Sequence, residues 1–349
     1  MGAPANAPRS LRSFLVAVVV LSILPIYLHG WITSRPVLSS ILPVPSKTYV
    51  ISLPRRTDRR ETMEHLRERL GVEWSYFDAG EADTPLVGKI LDQNGSERIV
   101  MPFEWPDADT PISATPFEDL EFPAPSSWVG DEYEDKVDLM VSRDDFTLTR
   151  YKAGLHPFEY MSRGPIACYH SHITLISETA KREFTGEPSL ILEDDVDVDR
   201  DIKEQLSAVW HLLPTDWDMI FLGFCWAHET KYTGMDAGMP LDGSEPPRIR
   251  LFPSNEPLCT HAYAVSPIGA RRLLRFLDHP PFAYSRSIDQ AFKYLISHGQ
   301  IHKAFTVIPS IVAQYRGENY ESDVMKNLPD VWDWSLKYGI LASEARDRE

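Results

Sequence analysis

Cysteine is scarce in this chain: Cys168, Cys225 and Cys259 are the only 3 among 349 residues. So few thiols exclude a disulfide-built scaffold, and their spacing is not that of a zinc ribbon, so no structural zinc is expected. One pair has room to bridge in an oxidising compartment, which leaves one thiol free; for Cys168 the simplest reading is a small buried residue. Positive charge is in deficit too. Against 51 Asp and Glu stand 35 Lys and Arg, a net charge of -16, which excludes a broad nucleic-acid surface. A Walker-type phosphate loop is absent, which disfavours an NTPase, and no internal repeat is visible. What is present is an ordinary globular composition, 43% hydrophobic and 25% charged, over a length that holds one large domain or two modest ones.

Charge is also missing from Ser13 to Ser34, whose core reads FLVAVVVLSILPIYL (Phe14–Leu28). A spanning helix needs about 20 such residues. Arg9 and Arg12 precede the run and Arg35 and Pro36 follow it. The basic N-terminal flank keeps that end cytosolic and sends the remainder into the lumen. A cleaved signal peptide is the competing reading, but the Ala-x-Ala-like site it needs is absent. The expected organisation is a cytosolic tail at 1–12, a signal-anchor transmembrane helix at 13–34 and a Pro/Ser stem at 35–46. A catalytic domain at 47–320 and a C-terminal tail at 321–349 follow. Lumenal placement in the Golgi or ER agrees with the acceptor sequon Asn94-Gly95-Ser96.

From Lys47 a strand–helix rhythm begins. KTYVISL (Lys47–Leu53) reads as a strand, Asp58 and Glu61 have the spacing of a capping box, and Gly71 is placed as the helix stop. Glu73–Phe77 is the second strand, running into Asp78. The stretch at about 81–160 is acidic and Pro-rich and reads as an insert, whose aromatics Trp105, Phe117, Trp128 and Tyr133 either line a groove or staple the insert to the core. Alternation then resumes, with helices at Ile166–Phe184, Ile202–Leu213, Ile268–Leu277 and Ile288–Ser297. Strands are expected at Ser189–Glu193, Met219–Gly223, Leu258–Val265 and Ala304–Ile308. Ser266-Pro267 reads as a cap with proline at the first helical position. Alternating strands and helices imply an α/β fold with a mostly parallel central sheet, whose ligands sit beyond the carboxyl ends of the strands.

The sharpest feature is SLILEDDVDVD (Ser189–Asp199). An apolar strand runs straight into Glu193, Asp194 and Asp195. Continued extended chain would point Glu193 and Asp195 together and Asp194 away. Three adjacent acids repel unless something neutralises them, and two convergent carboxylates suit a hard divalent cation with oxygen ligands. An ordinary acidic turn capping the next helix is the bland alternative. Such a cation is chemically matched to a nucleotide diphosphate leaving group.

These blocks resemble a known family. VISL-PRRTDRR (Val50–Arg60), YFDA (Tyr76–Ala79), ACYHSH (Ala167–His172), LEDDV (Leu192–Val196), WDMIFLG (Trp217–Gly223), CTHAYAVSPIGARRLL (Cys259–Leu274), SIDQAF (Ser287–Phe292) and PSIVAQ (Pro309–Gln314) are similar, in order, to glycosyltransferase family 25. That family includes bacterial lipooligosaccharide and animal collagen galactosyltransferases. The resemblance implies a GT-A-type nucleotide-sugar-binding fold, a UDP-sugar donor with galactose commonest, and Mn²⁺. On it, Glu193 and Asp195 are the metal ligands. Arg56, Arg59 and Arg60 match the family's basic cluster, with guanidinium forks suited to phosphate or uracil oxygens; a solvated helix face is the alternative and is expected for at least one of them. Asp78 reads as an acceptor for the uracil or ribose, His172 as a group that orders the carboxylates or contacts phosphate, with a structural role as the alternative, and Asp194 joins the donor-binding set. The long insert and Cys259, where several relatives carry Gly or Trp, depart from the pattern.

Transfer to a hydroxyl needs a base for the acceptor's proton, and inversion, as the resemblance implies, needs one displacement with no covalent intermediate. Asp289 is the candidate base and His261 the second; for Asp289, helix capping is the competing role, for which Ser287 also competes. The acceptor stays open among protein hydroxylysine, glycan and glycolipid. The rivals are a glucosyltransferase of the same fold and a catalytically inactive membrane-tethered sugar-binding module, against which the intact acidic pair speaks.

Overall fold

The computed structural model describes residues 46–95, 105–107, 139–141, 148–150, 160–183, 186–240, 248–279, 282–316, 322–324, 336 and 338–347. The expected cytosolic tail and anchor, the stem as far as Pro45, Ser96 of the sequon, and Phe117, Trp128 and Tyr133 lie outside them. Among the described residues no helix is long and apolar enough to cross a membrane.

In chain order the elements are β1 (Lys47–Ser52), α1 (Thr57–Leu70), β2 (Ser75–Asp78), α2 (Pro85–Gly95), β3 (Leu139–Val141), β4 (Leu148–Arg150) and β5 (Tyr160–Met161). There follow α3 (Arg163–Ala180), β6 (Ser189–Glu193), β7 (Val196–Val198), α4 (Ile202–Trp210), β8 (Met219–Gly223), β9 (Met235–Pro240) and β10 (Arg248–Pro253). The chain closes with β11 (Ala262–Val265), α5 (Pro267–Leu277), α6 (Ile288–Ser297), β12 (Ala304–Ile308), β13 (Val312–Gln314) and α7 (Ile340–Arg346).

The central sheet has 8 strands in the order β2-β1-β6-β11-β8-β12-β10-β9. β2, β1 and β6 pair in parallel, as do β8 and β12, whereas β10 and β11 run against their neighbours. The fold is thus a mixed α/β one in which most central strands share a direction. The two reversed strands carry no signal in residue type, because buried strands read as apolar runs whichever way they run.

The two faces of the sheet divide the core by strand alternation. Ile191, Met219, Phe221, Tyr263 and Val265 point to one side, where α2, α3, α5 and α6 pack. Leu190, Leu192, Ile220, Leu222, Ala262 and Ala264 point to the other, against α1, α4 and α7. Each Leu, Ile, Val, Met or Phe side chain among them contributes about 1.5–3 kcal/mol relative to exposure.

Local starts and stops follow sequence chemistry in most places. Gly71 ends α1 in the left-handed region (φ 57), where a Cβ is disfavoured. Ser266 caps α5 by accepting from the Gly269 N–H, with Pro267 at the first turn. The expected capping box of α1 is corrected: the helix starts at Thr57, and Asp58 pairs instead with Arg56. The insert also begins later than expected, since α2 lies within 81–160. Trp105 there is a staple, its ring 5.2 Å from Phe276 and 5.4 Å from Phe282. At the other end, α7 occupies the stretch read as a tail. Asp197 accepts from the Leu341 and Ala342 N–H groups at 2.9 Å each, satisfying donors that the start of a helix leaves open.

Candidate active site

The carboxyl ends of β1, β2 and β6 lie side by side, and the residues just beyond them form the site. β6 ends at Glu193, and Asp194 and Asp195 sit in a bend before β7. The alternation expected beyond Glu193 therefore stops, and Asp194 does not point away from its neighbour. Arg59, projecting from α1, reaches Asp194 at 2.8 Å and Asp195 at 3.3 Å. Gln314 on β13 donates to Asp195 Oδ2 at 3.1 Å. β13 is brought there by pairing antiparallel with β7.

Glu193 is held from the other side. The Thr260 hydroxyl donates to its Oε1 at 2.7 Å, and His172 Nε2 lies 3.4 Å away. His172 is buried, with Nδ1 3.0 Å from the Tyr263 hydroxyl. A Tyr263 O–H that donates to Nδ1 leaves the ring proton on Nε2, facing Glu193. His172 thus faces the Glu193 carboxylate from midway along α3.

The charges in this cluster act on one another. Burial raises the Glu193 carboxyl, but the His172 and His261 rings and the Thr260 hydroxyl reverse this and leave it below its ordinary value. Burial, followed by the Glu193 charge, pushes Asp195 up from 3.8 to about 6, against the pull of Arg59. Glu193 and Asp195, part-buried carboxylates two positions apart in the chain, offer the oxygen ligands that a hard divalent cation takes. Cys168 on α3 feels the same centre: burial raises its thiol strongly, and Glu193, Asp289 and Asp195 add to the rise. It is the free cysteine.

The basic cluster follows β1. Asp323 draws three guanidinium groups together, accepting from Arg55 at 2.6 Å, pairing closely with Arg56 and lying 3.8 Å from Arg59. Arg60 donates to Asp78 at 2.6 Å and to Ser52, and its guanidinium lies 4.8 Å from the centre of the Tyr76 ring. None of the three expected arginines is simply a solvated helix residue, because each is held by a carboxylate.

Asp289 stands in the first turn of α6. Its Oδ1 accepts from Ser287 Oγ at 2.5 Å and the Gln290 N–H at 2.8 Å, and its Oδ2 accepts from the Cys259 N–H at 3.2 Å. Ser287 is the N-cap residue but makes no side-chain cap bond. His261, the second candidate base, is 2% exposed, and burial lowers its pKa. It lies against Gly223, where any Cβ would collide with the His261 ring. Cys225, Cys259 and His261 approach within 4.8 Å of one another, but Cys225 and Cys259 form a disulfide, so their sulfurs are not thiolate ligands.

Thr260, Gln314 and Asp323 are the members of this constellation that residue patterns did not single out. Gln314 fell in a block already noted, next to the strand that pairs with β7. Asp323 lies 267 residues from Arg56 in a stretch with no periodicity.

Carboxylates at a sheet end stand beside a cluster of arginines, and comparison with known proteins names the class: the chain is a glycosyltransferase. Residues 45–288 match Glycosyltransferase family 25 (LPS biosynthesis protein), and the chain belongs to that family. The match covers every expected site residue except Asp289. The chain is 24% identical to procollagen galactosyltransferase 1-A of Xenopus laevis over 85% of its own length and 43% of that protein. It is also 24% identical to procollagen galactosyltransferase 1-B of Xenopus laevis, over 84% and 42% of the two chains. To procollagen galactosyltransferase 2 of Mus musculus it is 24% identical over 54% and 33%. The chain spans less than half the length of these relatives.

Proposed function

We propose that this protein transfers a hexose, galactose first among candidates, from a UDP-sugar to a hydroxyl of a glycan, protein or lipid acceptor, with inversion and with Mn²⁺ or a similar divalent cation. The observation that carries the reading is the pair Glu193 and Asp195, two part-buried carboxylates held by His172, Thr260 and Gln314 at the end of β6. Glu193 and Asp195 hold the cation. When bound, it supplies positive charge that stabilises the departing nucleotide diphosphate.

The chain's own residues do the rest. Arg56 and Arg59 offer forked donors to the diphosphate, and Arg60 with Asp78 stands where β1 and β2 end, for the uracil or ribose. Asp194 keeps Arg59 in place at 2.8 Å. Asp289 takes the proton from the acceptor hydroxyl as its oxygen attacks the sugar's anomeric carbon. The relatives' names make a procollagen peptide the first acceptor to try. The apolar run at 13–34 anchors the domain in the lumen of the secretory pathway.

The test is release of UDP from UDP-galactose by the purified lumenal domain, with Mn²⁺ and with excess chelator. Turnover that vanishes in chelator and returns with Mn²⁺ is expected. Full activity in chelator, or no turnover of any UDP-sugar in a donor screen, overturns the proposal.

A further inference from the structure

The Asp289 carboxylate is held by two kinds of donor. On Oδ1 they are local: Ser287 Oγ and the Gln290 N–H, both within two residues. On Oδ2 the donor comes from across the site, the Cys259 backbone N–H at 3.2 Å. The local pair fixes one oxygen, and the Cys259 N–H sets how the carboxylate is turned about it. Cys259 has φ 70, the left-handed region that residues with a Cβ avoid.

Three contacts keep Cys259 there. Its sulfur is bonded to Cys225, with the two Cα atoms 5.6 Å apart. On either side of that bond the Cys225 N–H donates to the Leu258 carbonyl, and the Leu258 N–H donates to the Trp226 carbonyl, at 2.9 Å each. The residue after Cys259 is Thr260, whose hydroxyl holds Glu193. One short stretch thus connects Asp289 to the acidic pair, and the disulfide fixes it to the end of β8.

We propose that the Cys225–Cys259 disulfide is a positioning element for the Asp289 carboxylate, so that turnover depends on the bridge through Asp289 and not only through stability. The inference rests on the reading of Asp289 as the base. It gives the bridge a signature that a purely stabilising crosslink lacks, because the loss falls on kcat and not on donor binding.

The experiment measures kcat and KM for UDP-galactose hydrolysis, with Mn²⁺, in four variants. Cys225→Ser with Cys259→Ser is expected to lower kcat tenfold or more while KM stays within twofold. Cys225→Ala with Cys259→Gly regains most of kcat without a bridge, because glycine adopts positive φ freely. Asp289→Asn alone lowers kcat, and adding the double-serine change to it costs less than a further twofold. Wild-type kcat in the double-serine variant, or an equal loss with and without Asp289, overturns the proposal. Should Asp289→Asn turn over normally, the base reading falls by itself. A crystal structure of the double-serine protein, or of Cys225→Ala with Cys259→Ala if serine prevents folding, then judges positioning directly. Loss of the contact between Asp289 and the residue-259 N–H supports it, and retention overturns it.

Discussion

At neutral pH the Asp195 carboxylate is charged in surroundings that resist the charge. Burial, and then Glu193, move its titration from 3.8 to about 6. A group whose folded pKa is raised contributes stability that is complete below the unfolded value and lost as pH rises through the folded one. The loss here falls between 3.8 and about 6. At roughly 1.36 kcal/mol per pH unit it amounts to about 3 kcal/mol at pH 7. Asp195→Asn removes that charge and keeps an oxygen that accepts from Gln314. Arg59 loses one partner but retains Asp194 at 2.8 Å. The variant is therefore expected to be more stable than the native protein by about 1–3 kcal/mol at pH 7 in chelator, and equally stable near pH 3.5. In thermal melts the gain is roughly 2–4 °C per kcal/mol for a domain of this order of size. Mn²⁺ at a thousandfold its Kd should reverse the ranking, since it would stabilise the native site by about 4.1 kcal/mol. Turnover should be largely lost. Urea titrations at pH 7 and pH 4, with and without Mn²⁺, supply the measurement. A variant less stable than the native protein in chelator at pH 7, or a gain unchanged by pH, refutes the reasoning.

Asp323→Asn removes the carboxylate that three arginines share, and UDP should then bind severalfold more tightly by calorimetry; weaker binding would mean that Asp323 orients the arginines for the donor. Asp197→Ala leaves the α7 donors without an acceptor and should cost about 1–3 kcal/mol by denaturation, with kcat per folded molecule unchanged. Full-length protein in sealed microsomes should be protected from protease until detergent is added. Digestion without detergent counts against the lumenal anchor. Asp289→Asn should bind UDP-sugar normally yet lose about 10²- to 10⁴-fold in rate; a stable variant with normal turnover would leave Asp289 a structural group.

Much of this protein was legible in its residues. The strands Ser189–Glu193, Met219–Gly223 and Ala304–Ile308 were readable as bounded apolar runs, and each is present with those ends. Gly71 and Ser266-Pro267 marked helix ends because backbone conformation and capping are local matters. The acidic run after β6 declared that something there must compensate charge. What each acid does was settled by contacts far away in sequence: Asp194 by Arg59, Asp197 by α7, and Glu193 by Thr260 and His172. The same holds for the reversal of β11, which delivers Thr260 and His261 to the end of β6, and for the bridge that selects Cys225 and Cys259 over Cys168. Residue order fixes periodicity and local turns, because those depend on neighbours a few positions apart. It does not fix which distant side chain meets a buried charge, because that depends on the register and direction of strands, which apolar runs leave open.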